Sequence, residues 1–394
     1  MLTGCVEEFE PELPDNGTKL LVVSGTITSD TQNTFLLTWS TSLNSSMVQT
    51  YTDKFNNSYT ITNIDPVMSA NVYVRGSDGS EYSCKETADG VYQCILPKLK
   101  EDVGYHLDIK IGNSAYESTP EKPIRTPELD FTYVQEDSLS DIDFLVTTGA
   151  PDDPDQVNYF IWDYDETWEV RPRAHTRSYL DTLRVELEWS PVPIYPEHGW
   201  KFGRNRDILI GSTVHYPDGR FHKYKLYDIP RTDERIFWNY CSNLTQRAIS
   251  KAEYEYHQAT HQAGWEMGGL FTPQPSALPS NIHCTTSNRK AIGYIGCAMN
   301  TVTLRGYLDG KTISRKVKEH APADKEINPL REEYLARVRN GWAVLEFLKL
   351  QDANGPGTNI YVWWVPVYEV DIRLEGATIE RPWYMPPFDG VFDD

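Results

Sequence analysis

Residues 19–42 read KLLVVSGTITSDTQNTFLLTWSTS, two runs rich in Val, Leu, Ile, Thr and aromatic residues on either side of a short polar connection. β-Branched and aromatic residues suit a pleated, half-buried surface, and Asp30 and Asn33 between the runs mark a turn. The pattern recurs in SYTITNI, ANVYVRGSDGSEYSC, VYQCIL and YHLDIKI, up to about residue 125. About seven short strands in ~105 residues is the spacing of a β-sandwich, so 19–125 is expected to be a β-sandwich. Ser77-Asp78-Gly79 supplies the positive φ that a tight hairpin needs. The following STPEKPIRTPELD carries three prolines and no periodicity, which marks a domain boundary.

Beyond it, 126–394 is strand-dominated as well. NYFIWDY, RVELEWS, STVHYP, KYKLYDI, AIGYIGCAM, TVTLRGYL, WAVLEFLKLQ and NIYVWWVPVYEVDI are its candidate strands, the last two facing each other across DANGPGT. Two helices interrupt them. Ser250 to Glu253 is a capping box near 250–262, with Ile249 and Tyr254 as its staple and Gly264 as its stop. PLREEYLARVRN opens on Pro329 and gives the second, near 329–339. The chain is therefore expected to be mostly β, a sandwich followed by a larger antiparallel barrel or sandwich with two short helices.

Composition narrows the function. The 394 residues hold 37 Lys and Arg against 57 Asp and Glu, a formal charge of -20. That balance opposes a phosphate backbone, so no nucleic-acid partner is expected, and it opposes electrostatic attachment to anionic lipid. Six cysteines contain no CxxC pair, which leaves zinc-ribbon readings without support. Cys84 and Cys94 flank the turn-rich KETADGVYQ as a hairpin staple would; the alternative is two buried free thiols.

Three motifs invite an enzymatic reading. His257 and His261 stand at i and i+4 on one helix face, which is metal-ligand spacing, but Gln258 occupies the place where a zinc hydrolase carries its Glu. The default for them is two exposed helix histidines. Asp163-Tyr-Asp165-Glu-Thr167 resembles the nucleophile loop of haloacid-dehalogenase phosphotransferases, without that family's alternating fold. Asp152, Asp153 and Asp155 could offer oxygens to Ca²⁺, though a solvated acidic loop is the simpler reading. No catalytic residue and no cofactor is expected. Trp363 and Trp364 alternate faces on a strand, so one is expected in the core and the other outward, where it could contact a ligand or partner.

The N-terminus carries an address. Leu2-Thr3-Gly4-Cys5 resembles the lipobox of bacterial lipoproteins, with Cys5 the lipidated residue. A leader's basic and apolar regions would lie upstream, so the motif marks either a trimmed lipoprotein start or an accident. The run Glu7, Glu8, Glu10, Glu12 and Asp15, with Pro11 and Pro14, favours the first, because 1–18 then reads as an extended acidic tether.

Taken in order, these segments resemble domain-of-unknown-function family 4249, surface lipoproteins of Bacteroidota. The matching pieces are Cys5 with its tether, KLLVVSGTIT, and IKIGNSAYESTPEKPIRTPELD. They continue with Trp162, Glu166, Thr167, Trp168 and Glu169, then AEYEYHQA, Asn281-Ile282 and Gly293-Tyr294. The resemblance implies an Ig-like or regulatory-type sandwich over 19–125 joined to a β-rich second domain, in a non-enzymatic lipoprotein anchored in the outer membrane and facing the cell exterior. It would be an accessory of a TonB-dependent transporter and its associated lipoproteins in nutrient uptake. Two other readings are a subunit of an outer-membrane assembly or export machine, and a surface metal-dependent hydrolase using His257 and His261.

Overall fold

The structure is a computed structural model. It describes residues 19–40, 48–52, 58–62, 65–150, 158–265, 280–317, 321–351 and 356–385, with backbone alone at 48–52, 58–62 and 263–265. The acidic N-terminal run and Asp152, Asp153 and Asp155 lie outside these residues.

The first ten strands are β1 (Leu21–Thr28), β2 (Gln32–Trp39), β3 (Val48–Thr52), β4 (Ser58–Thr62), β5 (Asp65–Pro66), β6 (Asn71–Gly76), β7 (Glu81–Ala88), β8 (Val91–Ile95), β9 (Tyr105–Ile111) and β10 (Ser114–Ser118). Next come β11 (Leu129–Gln135), β12 (Ile142–Thr148), β13 (Tyr159–Val170), β14 (Ser178–Asp181), β15 (Glu186–Trp189), β16 (Gly199–Arg204), β17 (Leu209–Ser212), β18 (Tyr224–Ile229) and β19 (Asn239–Ile249). Helix α1 (Lys251–Trp265) leads to β20 (Ile282–Cys284), β21 (Ala291–Ala298) and β22 (Val302–Asp309). Last are β23 (Asp324–Ile327), α2 (Arg331–Arg339), β24 (Trp342–Gln351) and β25 (Thr358–Pro366). The chain is mostly β with two α-helices, as its alternating sequence predicts.

The first sandwich closes further than its sequence announces. Its strands run in the order β20-β10-β9-β6-β7-β8-β2-β1-β21. At one side β7 belongs to both layers, pairing β6 through Val72–Cys84 and β8 through Lys85–Gln93. At the other side β20 and β21 meet through a bridge between His283 and Lys290. The buried Asn281 amide pins that closure, donating to the Ile295 carbonyl and accepting its N–H, both at 2.9 Å. The sheet is thus nearly a closed barrel, with few edges left to pair with another chain.

This redraws the expected boundary at 125. Residues 282–298 belong to the first core, where Ile282, Ile295 and Cys297 join Leu21, Phe35 and Leu107. β1 pairs β21 in parallel along its whole length, from Leu21–Ala291 to Thr28–Ala298. Gly293 makes the approach possible: a Cβ there would sit 2.0 Å from the Val23 carbonyl oxygen.

The remaining chain divides in two, where a single large domain was expected. In the first part, β11-β12-β18 packs on a sheet ordered β16-β13-β19-β22, with β17 beside β13. Aromatic rings fill the space between, with Phe144 stacked on Tyr227 at 4.6 Å and Tyr164 on Tyr227 at 4.3 Å. The second part is the small antiparallel sheet β23-β25-β24. Its inner face buries Val344, Val362 and Trp364 against Tyr334 of α2 and against Leu180 and Leu187 of the β14–β15 hairpin.

Both helix starts follow local rules. At α1 the Ser250 hydroxyl accepts the Glu253 N–H at 3.1 Å, but the Glu253 carboxylate turns away from the capping box, and the helix runs past Gly264 to Trp265. At α2 the Glu333 carboxylate caps the Leu330 N–H.

Candidate functional site

β13 is the longest strand and is buried on both faces from Glu166 to Val170. Two carboxylates lie in that stretch, one on each face. Glu169 is fully buried and accepts from Arg171 Nε at 2.6 Å and Asn239 Nδ2 at 2.6 Å, with His198 Nδ1 at 2.9 Å. Burial alone would raise its pKa, but the bonds from His198, Arg171 and Asn239 hold it below the usual range. Glu166 faces Arg235, whose Nη1 lies 3.1 Å from both oxygens, and accepts from the Tyr240 hydroxyl at 3.1 Å. Here burial outweighs Arg235 and Tyr240, and the pKa is raised.

A cleft of about 450 Å³ opens beside Glu169, lined also by Arg171, Arg173, His175, Asp233 and Trp238. Arg171 lies 4.0 Å over the Trp238 ring, and Arg173 reaches Glu375 at 2.9 Å and Glu369 at 3.4 Å. Burial lowers the His175 pKa, so this imidazole is neutral near pH 7. The lining thus carries charges of both signs already engaged with one another.

The second polar cluster joins the two sandwiches. Glu253 of α1, 2% exposed, binds Arg247 of β19 at 2.6 and 3.0 Å and lies 3.6 Å from His257 Nε2. Burial would raise its pKa, yet Arg247 and His257 hold it low. Its carboxylate lies against the backbone of β21, where a Cβ on Gly296 would come within 2.1 Å of Oε2. Beside it, Glu121 accepts from the Tyr294 hydroxyl and, at 3.3 Å, from Ser250. Burial raises the Glu121 pKa, with the Tyr294 bond opposing and Glu253 adding to it.

A family model described as domain of unknown function (DUF4249) matches residues 6–303, well over half the chain. This chain belongs to the DUF4249 family. No curated protein matches it. The segments that carry the DUF4249 resemblance converge on the two clusters: Glu166 and Glu169 on β13, Glu253 on α1, Asn281 before β20, and Gly293 and Tyr294 on β21. They hold buried charges and close backbone approaches, which are structural duties. The match ends within β22, so β23, α2, β24 and β25 lie beyond it.

The other expected site residues fall as follows. His257 is not exposed as expected: its side chain is 20% exposed and turned to Glu253 on the preceding turn, while His261 lies one turn on. Among the described residues no three His, Cys, Asp or Glu are placed to hold a metal ion. Asp163, Asp165 and Thr167 lie mid-strand in antiparallel β13, with Asp163 paired to Arg204 at 2.8 Å, so the phosphotransferase geometry is missing. Cys5 lies outside the described residues. Cys84 and Cys94 are buried neighbours in the first core, present as thiols. Trp364 is fully buried and Trp363 is half-buried on the opposite face. No described helix is long and apolar enough to cross a membrane.

That opposite face extends well beyond the one outward tryptophan expected from the sequence. The registers Lys325–Trp363–Glu346 and Ile327–Tyr361–Leu348 set two rows of side chains outward. Ile327 is 57% exposed, Leu348 44% and Leu350 46%. Tyr361 and Trp363 stack at 6.4 Å, and the Lys325 ammonium lies 4.9 and 5.2 Å over the two rings. The available signal was period-2 alternation of apolar residues on a strand whose other face was also apolar.

Proposed function

We propose that this protein is a non-enzymatic surface lipoprotein. It is held to the outer membrane by lipid on Cys5 and docks on a TonB-dependent transporter barrel as an accessory of nutrient uptake. The observation that carries the docking is the outward face of β23-β25-β24, where exposed Ile327, Leu348 and Leu350 join half-buried Tyr361 and Trp363 in one apolar patch, with Lys325 and Glu346 as its charged members. A contiguous apolar patch with a charged rim is the composition of a protein contact, and aromatic side chains are its usual anchors. Supporting a binding role, Glu166, Glu169 and Glu253 are each tied to a cation, an arrangement suited to rigidity.

The test is a mild-detergent pull-down of the native, tagged protein from outer membranes, read by mass spectrometry, beside a Leu348→Glu/Trp363→Ala variant. A stoichiometric TonB-dependent barrel with the native chain, lost with the variant, is the expected result. A lone native monomer would overturn the docking, and a barrel with export components would move the protein to an assembly or export machine. Cys5→Ala should release folded protein from the membrane, because stable anchoring depends on the acyl chains. A variant that stays bound would end the anchor reading.

A further inference from the structure

Cys84 of β7 and Cys94 of β8 are each 7% exposed within the first core. The β7–β8 ladder sets Glu86 opposite Tyr92 and Lys85 opposite Gln93, and continuing that register by one step would place Cys84 opposite Cys94. Both side chains lie in the same core cluster. Facing residues of an antiparallel ladder lie ~4.5 or ~5.5 Å apart at Cα, according to pair type. Both distances fall within the ~4.4–6.8 Å that a disulfide spans, so neither strand has to move. Of the other described cysteines, Cys241 lies with Trp200 and Met385, Cys284 bonds with Thr286 and Ser287, and Cys297 shares the first core but stands on β21 opposite Ile27 of β1.

The position matters as much as the distance. β7 leaves one layer of the sandwich and joins the other at this point, pairing β6 through Cys84 and β8 from Lys85 onward, with a bulge between Glu86 and Ala88. Cys84 also faces Val72 of β6, and Cys94 faces Asn33 of β2. A bond between the two sulfurs would cross-link the strand run β6-β7-β8-β2 where the layers change over.

We propose that Cys84 and Cys94 are a disulfide site, closed in an oxidising compartment and open as two thiols in a reducing one, and that the closed bond locks this changeover. The oxidant is a disulfide, either of a small molecule or of a protein. The Cys94 thiolate attacks one of its sulfurs, so that the oxidant's S–S bond breaks, a mixed disulfide forms and one thiolate leaves. The Cys84 thiolate then attacks the Cys94 sulfur and expels the second. Two electrons pass to the oxidant, which departs as thiols after taking up two protons. With both sulfurs buried, the exchange takes place before the hairpin docks or on its local opening.

The full-length chain, prepared once from a reducing cytosol and once after export to an oxidising compartment, is denatured in iodoacetamide without reductant and peptide-mapped. Cys84 and Cys94 are expected as one linked pair in the exported protein and as two alkylated residues in the cytosolic one. Cys241, Cys284 and Cys297 should be alkylated in both. Alkylation of Cys84 and Cys94 after export, or a link from either to another cysteine, would overturn the site. The same two preparations then test the lock, because neither carries a substitution that could spoil folding. The oxidised form should melt several degrees higher and resist proteolysis within 85–93, whereas equal melting and equal cleavage would overturn it.

Discussion

Glu253, at the joint between the two sandwiches, is 2% exposed, whereas Ile327, on the outward face of the C-terminal sheet, is 57% exposed. The two regions invert the usual distribution of polar and apolar side chains. At the joint the inversion is compensated at once: Arg247 pairs the Glu253 carboxylate, with His257 Nε2 3.6 Å away. On the outward face the described residues supply no cover for Ile327, Leu348 and Leu350. A buried charge with its partners in place is a structural fitting, and an apolar patch without cover is half of a contact. The family's recognisable segments lie at the first region and stop before the second.

The sharpest way to break this contrast is at Glu253. Glu253→Ala strands a buried Arg247 and should cost about 5 kcal/mol of folding free energy, read from the shift in denaturant midpoint. A loss below about 1 kcal/mol would show that the joint is not what holds the sandwiches together.

The tryptophan pair comes next. Trp364→Ala should cost at least about 3 kcal/mol, the cost of emptying a packed aromatic site. Trp363→Ala should stay within about 1 kcal/mol while weakening capture of the partner. Equal losses at both positions would make the outward face part of the core.

Gly296→Ala drives a methyl group into the Glu253 carboxylate and should cost about 2 kcal/mol. A neutral result in the unfolding midpoint would mean that the carboxylate can retreat.

The smallest effect is in pH. Glu121, with its pKa raised in the fold, binds its proton more tightly folded than unfolded. Its contribution therefore declines as pH rises from the ordinary carboxylate range through its raised value. Glu253, held low, works in the opposite sense, and its contribution is lost only as pH falls below the ordinary range. Glu121→Gln should flatten the first slope in pH-dependent unfolding and leave the second intact. An unchanged first slope would assign it to another group, with Glu166 the next to replace.

Much of this architecture is legible in the chain. Alternation along 19–40, 105–111 and 359–366 announces strands because one face of each is buried, and the same period separates Trp363 from Trp364. Ser250 marks a helix start through local hydrogen bonding, which needs no distant partner, while Pro329 falls one residue before the Leu330 cap of α2 and not at its first helical position. What the sequence withholds is partnership. Nothing in AIGYIGCA says that it lies parallel to LVVSGTIT, since pairing depends on chain connectivity as much as on residue type. Glu253 reads locally as the end of a capping box, and only the arrival of Arg247 and Gly296 makes it a buried charge. Arg247 is only six residues back, but the burial against Gly296, like the boundary at 125, depends on a segment far along the chain.

The parallel pairing of β1 with β21 sets a timetable for the growing chain. Leu21 opens β1, yet its neighbour Ala291 follows only after the whole second sandwich except β22 has been synthesised. Until then β1 presents an unpaired edge of Val, Ile and Thr, the kind of edge that invites pairing with a wrong strand. Closing so long a loop is slow, and parallel pairing is slower than a hairpin. A chain delivered from its N-terminus would therefore have to be held open, by a chaperone or by its own charge of -20, until the last strand of the first barrel arrives.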